Sequence, residues 1–124
     1  MSEKTAVGKV VWRDLTVPNA KEIRDFYCDV IGWQASDHPV GDYNDFDIKS
    51  PEDGEVVTGI CHTRDSNANM PPVWLLYIHV EDVDKSAARC VELGGKIIEG
   101  PRMMGQYRFC VIQDPAGAMI GLIH

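Results

Sequence analysis

Residues 9–17 read KVVWRDLTV and residues 20–32 read AKEIRDFYCDVIG, and the two stretches together set the architecture. The first is rich in β-branched residues, which pack well on a pleated surface, so a strand is expected. Asn19 stands where a helix N-cap belongs. In the second stretch Ile23, Phe26, Tyr27, Val30 and Ile31 recur at helical spacing, and Gly32 is a natural left-handed stop. The unit is strand, helix, glycine.

The same grammar returns roughly 60 residues later, which points to duplication of one supersecondary unit. VWLLYIHV (73–80) is an apolar strand, Asp82 an N-cap, and VDKSAARCVELG (83–94) a helix. That helix turns Val83, Ala87, Cys90, Val91 and Leu93 to one side and ends at Gly94-Gly95. Short strands follow each helix, at about 33–36, 43–49 and 56–62, then at about 96–99, 107–113 and 118–123. Turn-formers such as Ser50-Pro51-Glu52-Asp53-Gly54 and Asp114-Pro115-Ala116-Gly117 separate them. Thr63 to Pro72, TRDSNANMPP, is the natural linker. One α+β domain over 1–124 is expected, with module one at about 8–62 and module two at about 73–124, each βαβββ.

Composition narrows the function classes. The chain has 124 residues, 44% hydrophobic and 25% charged, as an ordinary folded domain does. A net charge of −7 without a Lys/Arg cluster argues against nucleic acid. No apolar run approaches the roughly 20 residues that span a bilayer, and Met1 to Thr5 lacks the apolar core of a secretory signal. A frayed N-terminal tail and a cytoplasmic location are therefore expected. Cys28, Cys61, Cys90 and Cys110 are far apart, with no C-x-x-C pair, and read as reduced packing thiols rather than zinc ligands. Cys28 and Cys90 stand four residues before their glycine stops, which favours a shared packing role.

Three stretches carry a family resemblance: DLTVPNAKEIRDFYCDVIGW (14–33), VEDVDKSAARCVELGGKIIEGP (80–101) and QDPAGAMIGLI (113–123). In their order and spacing the chain resembles the vicinal oxygen chelate superfamily, the glyoxalase and bleomycin-resistance fold. The resemblance covers nearly the whole chain and implies two βαβββ modules forming a curved mixed β-sheet cleft. That scaffold hosts isomerases, ring-cleaving dioxygenases, thiol transferases and drug-sequestering proteins, so function must come from the site.

In metal-dependent relatives, the first and last strands of each module offer His or Glu to one ion. Matching the motifs puts those positions at Trp12, Gly59, Leu75 and Gly121, none with a donor side chain. A one-residue shift offers Arg13, Ile60, Trp74 or Leu76, and Ile120 or Leu122, which are no better. The expectation is no metal and no cofactor.

Residues two apart share a strand face. If Trp12 faces the cleft, Val10, Asp14 and Thr16 do too; Gly59 brings Val57 and Cys61, Leu75 brings Val73, Tyr77 and His79, and Gly121 brings Met119 and Ile123. Val11, Leu15, Val17, Ile60, Leu76, Ile78 and Val80 should then pack against the helices. With Asp14 and Cys61 one step from a Trp12/Gly59 level and near Tyr77, the expected binding set is Trp12, Asp14, Cys61, Leu75, Tyr77, His79 and Met119. His38 and His62 have no obvious partners, His124 is the last residue, and Trp33 and Trp74 suit core or interface. GPRMMGQY (100–107) suggests a Gly-flanked mobile loop, with Arg102 able to meet an anion.

Three functions compete. The first is a metal-free homodimer that holds a small aromatic or amphipathic molecule, as the resemblance to drug-sequestering proteins implies. The second is a metal-independent isomerase or lyase with His79 or Asp14 as acid–base group; Cys61 would need a neighbouring base to act as a nucleophile. The third is a non-catalytic interaction subunit whose cleft is filled by Trp12 and Tyr77.

Overall fold

The computed structural model describes residues 5–124, so Met1 to Lys4 of the expected tail lie outside the described residues. The elements run β1 (Val10–Val17), α1 (Ala20–Ile31), β2 (Gln34–Val40), β3 (Tyr43–Lys49), β4 (Val56–His62), β5 (Trp74–His79), α2 (Val83–Glu92), β6 (Lys96–Met104), β7 (Tyr107–Gln113) and β8 (Met119–Ile123). The linker carries a short 3-10 turn at Asp65–Asn67. The βαβββ order therefore occurs twice.

Two strands run longer than expected. β2 continues through Pro39 to Val40, because it lies at a sheet edge, where a missing N–H costs no ladder bond. β6 continues to Met104, so residues 100–107 form a hairpin around Gly105-Gln106 rather than a loose loop.

The fold divides into two compact units, Asp14–Trp74 and the residues up to Arg13 together with Leu75–His124. β1 is thus shared, its end belonging to the first unit and its beginning to the second.

In the first unit the strand order is β2-β3-β4-β1. β1 runs parallel to β4, with Leu15 opposite Ile60 and Val17 opposite His62. Parallel neighbours require a crossover, and α1 provides it. The core joins Leu15, Val17, Ala20, Phe46, Ile48 and Ile60, with Ile23 and Tyr27 of the helix packed against it. Only that line of α1 faces inward. Phe26, Val30 and Ile31, expected to share its buried face, are 55%, 65% and 51% exposed. Gly32 ends the helix as expected, at φ 89°, with its N–H on the Cys28 carbonyl. Asn19 departs from expectation: its side chain caps no backbone amide and donates instead to Glu22 Oε2 at 2.9 Å.

In the second unit the order is β1-β5-β8-β7-β6. The approach to β1 is tied to β5 by Gly8 N–H on the His79 carbonyl (2.8 Å) and His79 N–H on the Lys9 carbonyl (2.9 Å). β5 and β8 are parallel, and α2 crosses between them. Val83, Ala87, Cys110 and Leu122 form the core, with Ile78, Val80, Ile97 and Ile112 around them. Asp82 caps α2 as expected, accepting from Lys85 N–H at 3.1 Å. Val91 and Leu93 stay exposed, against expectation. So do Val11 and Leu76, while Leu15, Val17 and Ile60 in one unit and Ile78 and Val80 in the other do pack on the helix side. A helix of this length covers only about 15 Å of strand. Cys90 has the expected packing role: a Cβ on Gly95 would lie 2.4 Å from its Sγ.

Arg108 on β7 grips Asp84 at the start of α2 through two bonds, of 2.6 and 2.8 Å. Those bonds hold the Asp84 carboxyl below its usual range. A carboxyl whose folded pKa is lowered adds stability that is present above the unfolded value, about 3.9, and lost as pH falls through the folded one. Asp84→Asn should therefore be less stable than wild type at pH 7, and the gap should close as urea melts are taken down to pH 3. A gap independent of pH would refute the ion pair's contribution.

Candidate functional site

A cavity of about 400 Å³ opens in the second unit. Trp12 of β1, Tyr77 and His79 of β5, and Ile123 and His124 at the end of β8 line it, together with Thr5 and Val11. Met104 and Tyr107 come from either side of the β6–β7 turn. The lining is mostly apolar, with a few polar tips, as in many small-molecule sites.

Of the expected binding set, Trp12, Tyr77 and His79 meet here. Leu75 does not line the cavity; it is 2% exposed and buried in the core. Met119 also falls outside the lining. Asp14 and Cys61 belong to the first unit. Met104, Tyr107 and His124 are additions. The sequence flags the first two, since GPRMMGQY stands out as a methionine-bearing, Gly-flanked segment, but gives no sign of what His124 does.

The register explains part of the difference. First and last strands are neighbours in both modules, but Gly59 is opposite Asp14 rather than Trp12, and Gly121 is opposite Tyr77 rather than Leu75. The offset is two residues each time. Cys61 consequently stands opposite Thr16. Gly121 has a further reason to be glycine: a Cβ there would sit 2.6 Å from Cδ1 of the Tyr77 ring. Tyr77 is 1% exposed and leans on Phe109, with ring centroids 6.4 Å apart. It is a fixed wall of the cavity.

Arg102 does not reach out for an anion. It lies 3.3 Å from the Glu99 carboxylate and stacks over Phe109 at 4.5 Å. In the first unit both seemingly partnerless histidines have carboxylates: His62 Nδ1 is 3.1 Å from Asp45 Oδ1, and His38 Nδ1 is 3.4 Å from Asp47. Asp45 Oδ1 also accepts the His62 N–H at 2.8 Å, which satisfies a buried acid locally. Burial, then the charge of Asp14, pushes the Cys61 thiol far above its usual value. It stays protonated at neutral pH, which removes it as a nucleophile. Trp74 Nε1 donates to Tyr27 Oη at 3.1 Å, and both rings pack with Trp33.

Known proteins share this pattern. Residues 7–122 match the family model of the Glyoxalase/Bleomycin resistance protein/Dioxygenase superfamily. The chain belongs to that superfamily. It is 32% identical over 129 residues to the anthracycline biosynthesis protein DnrV of Streptomyces peucetius, covering 91% of this chain and 46% of that protein. The chain thus spans about half the length of the curated relatives it matches. In fold it is similar to a Streptomyces coelicolor methylmalonyl-CoA epimerase, with a TM-score of 0.52 at 14% identity over 95% of this chain and 97% of that one. A Mycobacterium tuberculosis methylmalonyl-CoA epimerase gives 0.52 at 17% identity over 99% and 91%.

The superfamily's metal-binding positions can be tested against these residues. Gly59 and Gly121 carry no side chain, Leu75 is buried in the core, and an indole is no ligand for such ions. Among the described residues no group of three or more His, Cys, Asp and Glu stands together to hold one. The donor set does not fit the ion that metal-dependent members carry.

Gly121→Ala should force the Tyr77 ring and β8 apart, and overpacking of that kind costs about 1–3 kcal/mol. The midpoint of urea unfolding should fall while its slope is unchanged. A variant as stable as wild type would mean the ring can move aside.

Proposed function

We propose that this chain is a metal-independent binding protein that takes a small aromatic or amphipathic molecule into the cavity around Trp12, Tyr107 and His79. The observation that carries the proposal is the cavity lining. Trp12 and Tyr107 offer ring faces, Met104 a side chain that adapts to varied shapes, and His79 and His124 polar contacts that orient a ligand. Tyr107 is half exposed and Met104 more than a third exposed, so both have apolar surface still to bury. The likeness to an anthracycline biosynthesis protein supports an aromatic ligand. The lack of donor side chains at the four family positions supports metal independence.

We also propose that the protein works in the cytoplasm as a pair of identical copies. None of its described helices is long and apolar enough to cross a membrane. Phe26, Val30 and Ile31 leave an apolar stripe on α1 that a second copy would cover.

Two experiments test these proposals. A broad library of planar aromatic compounds, screened by thermal shift, should contain members that raise the midpoint, since a ligand stabilises the state it binds. Trp12→Ala should weaken those members about tenfold, the loss of one ring contact of about 1–1.5 kcal/mol, without lowering the melting point of the free protein by a comparable amount. A library with no stabilising compound would sink the binding proposal. Sedimentation equilibrium should give twice the monomer mass at micromolar concentration; a monomer throughout would refute the pairing.

A further inference from the structure

The N–H of Val83 opens α2 and has no partner within the helix. The rest of that turn is accounted for: Asp82 Oδ1 accepts from Lys85 N–H, and the Asp82 carbonyl accepts from Ser86 N–H at 3.0 Å. Val83 N–H goes to Nδ1 of His124 at 3.0 Å. A nitrogen that accepts holds a lone pair, so in this bond Nδ1 is the acceptor and the ring N–H is the one on Nε2. Turning the ring over would put a carbon against Val83 N–H, so the same bond fixes which edge of the ring faces the helix. His124 is an exposed residue, so Nε2–H is not sealed in the core.

His124 also lines the cavity. Its role there differs from that of the side chains that can also accept. The hydroxyls of Thr5 and Tyr107 rotate between donor and acceptor, and among the described residues no side-chain hydrogen bond fixes the His79 tautomer, whereas the Trp12 indole N–H only donates. His124 joins Trp12 as a donor, held so by a helix end with no part in ligand binding.

We propose that His124 is a specificity-determining residue: the cavity selects planar aromatic molecules whose ring carries a hydrogen-bond acceptor, such as a ring carbonyl oxygen, over the same ring without one. This rests on the cavity being the ligand site. A ring oxygen replaces the water that Nε2–H gives up on binding. A plain hydrocarbon buries that N–H unpaired, which loses about tenfold in affinity.

9-Fluorenone and fluorene are a suitable pair of probes, because they share one flat tricycle and differ only in a carbonyl against a methylene. Titration of the full chain at pH 7.5, followed by Trp12 fluorescence or calorimetry, should give fluorenone about a tenfold lower Kd. His124→Phe keeps a ring but neither nitrogen, and should bring the two Kd values together. Asp82→Ala damages the same helix end without touching the cavity lining, and should keep the tenfold ratio. If His124→Phe fails to fold, nitrogen-15 spectra of the wild type supply the second readout: the His124 side chain should show the Nε2–H tautomer, and its signal should move with fluorenone more than with fluorene. Equal Kd values in the wild type, a ratio that survives in His124→Phe, or a signal indifferent to the carbonyl would each overturn the role of His124 and leave the cavity as a ligand site. If neither probe binds at its solubility limit, the ligand-site proposal falls as well.

Discussion

In each half of this chain the first strand must run alongside the last and in the same direction, and everything else is arranged to allow it. Parallel neighbours cannot be joined by a tight turn. The chain between them has to rise over the sheet as a helix and come back through two antiparallel strands. Both halves solve the problem the same way, and Gly59 and Gly121 fall at matching places on the returning strand, opposite Asp14 and Tyr77. Leu15, Val17 and Ile60 in one half, and Ile78 and Leu122 in the other, pack on the helix side. What remains on the other face is free to vary.

The two halves have used that freedom differently. In the first, Asp45 meets His62 and its backbone N–H, Asp47 meets His38, and the largely buried thiol of Cys61 is held in its uncharged form. In the second, the corresponding strands present a tyrosine sealed against glycine and a cavity bounded by rings and a methionine. Burying charged groups requires partners, whereas an apolar wall requires none. The second half accordingly holds the cavity walled by rings and a methionine.

Much of the fold was legible because it depends on periodicity and punctuation. The apolar run VWLLYIHV, the i, i+4 spacing in both helices and the glycines at 32 and 94 are local signals that tertiary packing had no reason to override. The site was less legible. Counting along a motif placed Gly59 and Gly121 correctly on their strands but not against their neighbours, because pairing register belongs to the fold and cannot be counted in one strand. Helix faces were overestimated for a similar reason. Phe26, Val30 and Leu93 have the right residue type, but a two-layer unit of this size has only so much sheet to cover. His124 was opaque: a lone histidine after a strand gives no hint that a helix start forty-one residues earlier will need its lone pair.

The division of β1 bears on how such a protein can be taken apart. Its later residues complete the first unit, while Gly8 and Lys9, just before it, bond to His79 in the second. A gene cut at the repeat boundary would therefore not yield two self-sufficient halves. The fragment beginning at Leu75 would keep its helix and its core but leave the outer side of β5 bare. A bare strand edge is a template for whatever chain comes next, so the severed half should seek out its missing strand, or a substitute for it, before it does anything else.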